Sequence, residues 1–220
     1  PTLVNAVSEI PKDFMIRVGM MNPMYMSRIK QNLIESYDNE KVFKFLHIPV
    51  QSGSDKVLND MKRGHTSETF REIVKKTKER FENFTISTDI IVGFPSETEE
   101  DFQKTIALLD ETKPDVVNLS KYSARPGTDA AELKQIDAAE IKRRSKIIFN
   151  QINKISLKSN EKWIGWKGKV LFDENTEEGI KGRNYAYKPI SIDEKVNIGQ
   201  SHIVEITKAT RKRLIGKIAS

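Results

Sequence analysis

The chain changes its periodicity near Trp163, and no single fold accommodates both textures. Before that point, short β-branched runs alternate with segments whose apolar residues recur at helical spacing. Leu3, Val4, Val7 and Ile10 close a first helix, and Phe14–Val18 reads as a strand ending at Gly19. After Asn22-Pro23, the residues Met26, Ile29, Leu33 and Tyr37 share one helical face, and Val42–Ile48 is the next strand. Asp55–Met61 is a short helix, with Gly64 where a left-handed cap is wanted. Phe70, Ile73, Val74, Thr77 and Phe81 face inward along a longer helix. Thr85–Val92 is almost unbroken in apolar and β-branched residues, the mark of a parallel strand buried on both faces. Ser96-Glu97-Thr98-Glu99 reads as a capping box opening a helix with Phe102, Ile106 and Leu109 inside. Val116–Tyr122 is a further strand, and Ile141, Ile148, Ile152 and Ile155 mark a long last helix. Repeated β-then-α units imply a parallel sheet, open or curled into a TIM-like barrel.

Gly165-Trp166-Lys167-Gly168 ends the helical texture. Lys169–Phe172, Gly179–Arg183, Ala186–Ile192, His202–Thr207 and Arg213–Ile218 then read as five short strands between Gly, Asn and Asp turns. Five such strands suit a small, closed or nearly closed OB-like barrel. The expected division is therefore an α/β unit over 1–162 and an all-β unit over 163–220. If the α/β sheet begins at Phe14–Val18, that strand offers an open edge, and an edge-strand dimer is expected.

Composition narrows the function classes. Mean hydropathy is −0.53, and no apolar stretch approaches the roughly 20 residues that cross a bilayer. The first residues show no basic-then-apolar secretory pattern, so no membrane partner and a cytoplasmic setting are expected. Pro1 is not an initiator Met, which suggests a piece of something longer. Cysteine is absent. That removes disulfides, thiol nucleophiles, Cys–zinc sites and iron–sulfur ligation from this chain. His47, His65 and His202 are scattered, with no helical pair to hold a metal.

In parallel β/α sheets, functional groups collect where strands end and loops begin. Those positions carry Gly19–Pro23, His47–Asp55, Asp89–Glu97 and Lys121–Thr128, all rich in Gly, Pro and small polar residues. They suit a small polar ligand, and ordinary turn chemistry explains them equally well. Gln51 can bond hydroxyls, and the planar fork of Arg63 or Arg125 can hold a carboxylate. His47 faces either a site or the core and is assigned no role. His65 is expected to be exposed. Asp89, inside a buried strand, needs a partner, structural or substrate.

Three blocks carry a resemblance. Phe45-Leu46-His47-Ile48-Pro49-Val50-Gln51-Ser52-Gly53-Ser54-Asp55 with Met61–Thr66 is the first. Asp89–Thr98 and Tyr122–Thr128 are the others. In order and spacing they resemble the second half of the radical-SAM tRNA methylthiotransferases. Arg17–Pro23 looks most like the archaeal and eukaryotic branch, which acts on threonylcarbamoyladenosine at tRNA position 37. Branches acting on isopentenyladenosine or a ribosomal protein are the alternatives. The segment from about 163 looks like the TRAM domain these enzymes carry. The resemblance implies a partial radical-SAM barrel with S-adenosylmethionine and two [4Fe–4S] clusters as cofactors of the parent. It also implies the anticodon stem-loop of tRNA, and the missing N-terminal part of the same protein, as partners. The chemistry implied is reductive cleavage of S-adenosylmethionine, hydrogen abstraction at C2 of the adenine and insertion of a methylthio group. The cluster cysteines of the family are missing here, so the fragment alone is expected to be inactive and to hold no cluster. Carried over by position, Gln51 and Ser52 lie near the ribose hydroxyls, Arg63 meets the methionine carboxylate, and Ile91, Gly93 and Phe94 lie under the adenine. For Ile91 and Phe94, plain core packing is the competing reading.

The net charge of +6 gathers in the last third. Lys142–Lys169 carries nine basic residues against Glu161 alone, and Lys208, Arg211, Lys212, Arg213 and Lys217 cluster without an acid. Trp163, Trp166, Tyr185 and Tyr187 are interleaved with them. Cations for phosphates and aromatics for bases make an RNA footprint. Lys167, Lys169, Lys208, Arg211, Lys212 and Arg213 are its candidates. A solvated helix face and a packed pair of tryptophans are the plain alternative for 142–166. A rival reading of the whole is an RNA-binding module on a passive β/α scaffold.

Overall fold

The structure, a computed structural model, describes residues 1–177 and 179–219, and the side chains of all of these but 27–31. The α/β part runs α1 (Thr2–Ser8), α2 (Pro23–Ser36), β1 (Phe45–His47), α3 (Asp55–Asp60), α4 (Ser67–Arg80), β2 (Thr85–Val92), α5 (Glu99–Thr112), β3 (Val116–Lys121), α6 (Asp129–Glu132) and α7 (Ala138–Glu161). The sheet order is β1-β2-β3, all parallel. β2 is the centre because its Val, Ile and Thr side chains tolerate burial on both faces, and six of its eight residues are buried. Packed on it are Phe70 and Ile73 of α4, Phe102 and Leu108 of α5, and Ile148 and Ile152 of α7. Ile29, expected on the inner face of α2, lies outside the described side chains.

Then follow β4 (Lys167–Thr176), β5 (Gly179–Arg183), β6 (Pro189–Ile192), β7 (Ser201–Ala209) and β8 (Leu214–Ile218). They form a closed five-stranded barrel in the order β4-β5-β6-β8-β7. Its core holds Trp163, Val170, Phe172, Ile180, Ile190, Val204 and Leu214. Among the described residues, no helix is long and apolar enough to cross a membrane.

Three expectations fail locally. Phe14–Val18 is not a strand: Ile16 alone bridges Val42. The next backbone contact to β1 comes only at Met21, whose N–H meets the His47 carbonyl at 3.0 Å. The Arg17 side chain turns instead onto the rings of Phe45 and Tyr187, at 4.9 and 5.1 Å. The open edge expected at Phe14–Val18, on which the expected edge-strand dimer rests, is therefore not built. The capping box is Thr98 with Asp101, not Ser96 with Glu99, because Glu97 is drawn away to the Gly93 N–H and Arg144. Gly64 does adopt a left-handed φ of 69°, but beyond the α3 C-cap, which is Met61.

The junction of sheet and barrel is packed. Tyr187 sits edge-on against Phe43, 4.9 Å between centroids, and beside Phe45 at 5.0 Å. The Lys44 N–H donates to the Tyr185 carbonyl at 2.7 Å.

Candidate functional site

The carboxyl ends of β1, β2 and β3 open on a cleft of about 750 Å³ lined by His47, Gln51, Arg63, Asp89, Ile91, Asn118, the Ser120–Ser123 stretch and Arg125. Parallel register explains the grouping: Asp89 pairs laterally with Asn118, and His47 ends the strand on the other side. One Asp89 oxygen, Oδ1, lies 2.9 Å from His47 Nε2 and accepts from Asn118 Nδ2 at 2.8 Å. A carboxylate fixed by two neighbours holds its second oxygen in a set direction.

Gln51 is the unusual residue. Its φ is 74°, a conformation costly for a residue with a Cβ. The backbone is held there from both sides: its N–H donates to the Asp89 carbonyl and its carbonyl accepts from the Ile91 N–H, each at 2.9 Å. The residue is 7% exposed, and Oε1 has no hydrogen-bond partner among the described residues. A buried amide oxygen left unmatched at the floor of a cleft is an acceptor waiting for a donor.

The loop that follows is anchored from behind. Gly53 passes so close to α5 that a Cβ would stand 2.4 Å from the Lys104 carbonyl oxygen. Its N–H donates to Thr105 Oγ1 at 2.9 Å, and Ser54 Oγ donates to Asp101 Oδ1 at 2.6 Å. Burial raises the pKa of Asp101, but hydrogen bonds from Ser54 and Thr98 outweigh it and bring the carboxyl down to about 2.

Of the proposed adenosyl-ligand contacts, Gln51, Arg63 and Ile91 line the cleft. Ser52 does not: it is fully buried and turned to Thr105, 3.4 Å away. Gly93 points at α7, where a Cβ would meet Ile141 at 2.7 Å, and gives its N–H to Glu97. Phe94 is buried edge-on against Tyr122, 5.2 Å between centroids, and reaches the cleft only through that ring. His47, Asp89 and Asn118 went unassigned in the sequence; the one signal was an acidic residue inside an apolar strand. His65 is half-buried rather than exposed, its ring nitrogens 3.2 Å from the Arg63 and Val50 carbonyls.

On the barrel, Lys169, Lys208 and Lys212 are exposed and Arg213 is partly so. Lys167 stands 3.3 Å from Glu205 on the neighbouring strand. Arg211 reaches back to α7, donating to Asn153 at 3.0 Å with its guanidinium 5.5 Å over Phe149. Trp163 is buried with Trp166 and Tyr185 against it, and Tyr187 is used in the junction.

A sequence profile of the Radical SAM superfamily matches residues 3–109. A probable threonylcarbamoyladenosine tRNA methylthiotransferase of Archaeoglobus fulgidus is 45% identical, over 100% of this chain and 52% of its own length. One from Pyrococcus abyssi is 41% identical over 99% of the chain and 51% of its own. The threonylcarbamoyladenosine tRNA methylthiotransferase of Drosophila pseudoobscura pseudoobscura is 34% identical over 96% and 38%. The chain thus spans about half the length of the first curated relatives it matches. Among solved structures, the radical SAM enzyme coproporphyrinogen III oxidase of Escherichia coli aligns with a TM-score of 0.52 at 20% identity. It covers 75% of this chain and 38% of its own, a likeness of fold.

Proposed function

We propose that the chain, matched by the Radical SAM superfamily profile over residues 3–109, is the rear part of a cytoplasmic tRNA methylthiotransferase acting on threonylcarbamoyladenosine beside the anticodon. The observation that carries this is the extent of the likeness: it runs through both the sheet and the barrel, 45% identical over the whole chain. In this reading residues 1–162 are the end of the radical-SAM barrel, and residues 163–220 are a TRAM domain that grips tRNA through Lys169, Lys208, Lys212 and Arg213.

S-adenosylmethionine supplies the one-electron chemistry when it is bound. The residues of the cleft fit part of that ligand. The unmatched Gln51 Oε1 accepts a ribose hydroxyl, and Arg63 meets the methionine carboxylate. Ile91 covers an adenine face. The fixed Asp89 carboxylate receives an N–H or O–H from ligand or substrate. The iron–sulfur clusters do not fit this chain. It has no cysteine, and no group of three His, Asp or Glu that could hold a metal occurs among the described residues. Thiolates for both clusters belong, in this reading, to a segment outside this sequence.

The test is binding of S-adenosylhomocysteine followed by ligand-observed NMR, which reads weak affinities. Saturation transfer to the chain, lost in Arg63→Ala, is expected. No transfer, or transfer indifferent to Arg63, contradicts the assignment of the cleft.

A further inference from the structure

A second cavity, of about 360 Å³, lies at the opposite end of the sheet, where β2 and β3 begin and the barrel docks. Six lysines line it against two acids, Glu82 and Asp115. Two of the six are committed. Lys188 is spent on Asp115 at 2.9 Å, and Lys78 donates to the Thr112 carbonyl at 2.8 Å. The other four, all exposed, make no side-chain ion pair or hydrogen bond among the described residues: Lys113 at the left-handed C-cap of α5, and Lys154, Lys158 and the C-cap Lys162 one turn apart along α7. Ile155, Phe84 and Trp163 give the cavity an apolar wall.

Lys113, Lys154, Lys158 and Lys162 outnumber the one acid left beside them, Glu82, so positive charge is in excess and the cations repel one another. The effect is visible on Lys78: burial lowers its pKa, Asp115 opposes, and Lys162, Lys113 and Lys188 push it down further. Such an arrangement is relieved by an anion. Four compact ammonium groups around a partly apolar hollow suit a phosphate ester, whose oxygens take lysines as point charges.

We propose that this junction cavity is a phosphate-binding site, separate from the cleft at the carboxyl ends of the strands, and that it takes a backbone phosphate of RNA. The inference rests on the RNA-binding reading of the barrel and extends it: the strand is held at the junction as well as on the barrel surface.

The experiment titrates the whole chain with a short stem-loop RNA by filter binding over a range of salt, and with inorganic tripolyphosphate by fluorescence of the two tryptophans. Lys154→Gln/Lys158→Gln is compared with Lys212→Ala/Arg213→Ala and with a control of equal charge change, Lys75→Gln/Lys76→Gln on α4. The cavity variant is expected to bind RNA about tenfold more weakly, to lower the salt slope by about 1 to 2, and to lose the tripolyphosphate response. Loss of RNA affinity in the barrel variant, with the cavity variant like the control, overturns the cavity and leaves the barrel reading intact. No change in either variant overturns both. A tripolyphosphate response that depends on Lys154 and Lys158, without any effect on RNA, keeps the phosphate site and overturns RNA as its source.

Discussion

Lys188 of the barrel reaches Asp115 at the foot of β3, Nζ to Oδ1 at 2.9 Å, with side chains 3% and 12% exposed. Around this pair Ser159 and Asn160 of α7 supply a hydroxyl and an amide oxygen, and the Ile86 N–H donates to the second carboxylate oxygen at 2.9 Å. One ion pair therefore joins the barrel, the last helix and two strands. Its partners are fully hydrogen-bonded, the condition under which a buried pair is tolerated.

Removing one partner strands the other. Lys188→Met is expected to destabilise the chain by about 3–5 kcal/mol in urea unfolding, and the double variant with Asp115→Asn to recover part of that loss. Burial raises the pKa of Asp115, but Lys188 and the surrounding donors outweigh it and hold it below the ordinary range. The stability Asp115 contributes is thus present above its unfolded value and lost as pH falls through the lower, folded one. An unfolding midpoint insensitive to Lys188→Met would contradict the clamp.

Gln51 carries strain and an unmatched amide together. Gln51→Gly suits the left-handed backbone and is expected to raise stability by about 1 kcal/mol while weakening S-adenosylhomocysteine binding. Thermal melting and ligand-observed NMR on the same preparation read both. A less stable variant would show that packing of the buried Gln51 side chain outweighs the strain of its backbone, contrary to this expectation.

Asp101 ties the loop after Gln51 to α5 and has its carboxyl at about 2, against an ordinary value of about 3.9. Its stabilising effect is fully present above about pH 4 and is lost as pH falls towards 2. Asp101→Asn is expected to lower stability at neutral pH and to flatten the acid limb of a stability–pH curve in that window. An unchanged limb would place the acid sensitivity elsewhere.

Long, strongly patterned elements were legible in the sequence. β2 matches the expected Thr85–Val92, and α4, α5 and α7 bury the faces their spacing marked out. What was not legible depended on neighbours distant in the chain. Phe14–Val18 has strand chemistry, but Arg17 is taken by two aromatic rings, one from each side of the junction. Tyr187 looked available for bases and is committed to Phe43 and Phe45. Ser52 sits beside Gln51 in sequence, yet successive side chains diverge, and only Gln51 lines the cleft. The His47–Asp89–Asn118 array needs the parallel register of three strands, which no local pattern contains.

The central claim is best tested by nucleoside mass spectrometry of tRNA from cells of the source organism lacking the gene, with and without the gene restored. The methylthio form of threonylcarbamoyladenosine is expected to vanish, leaving the unthiolated nucleoside, and to return on restoration. Its persistence without the gene would contradict the assigned activity.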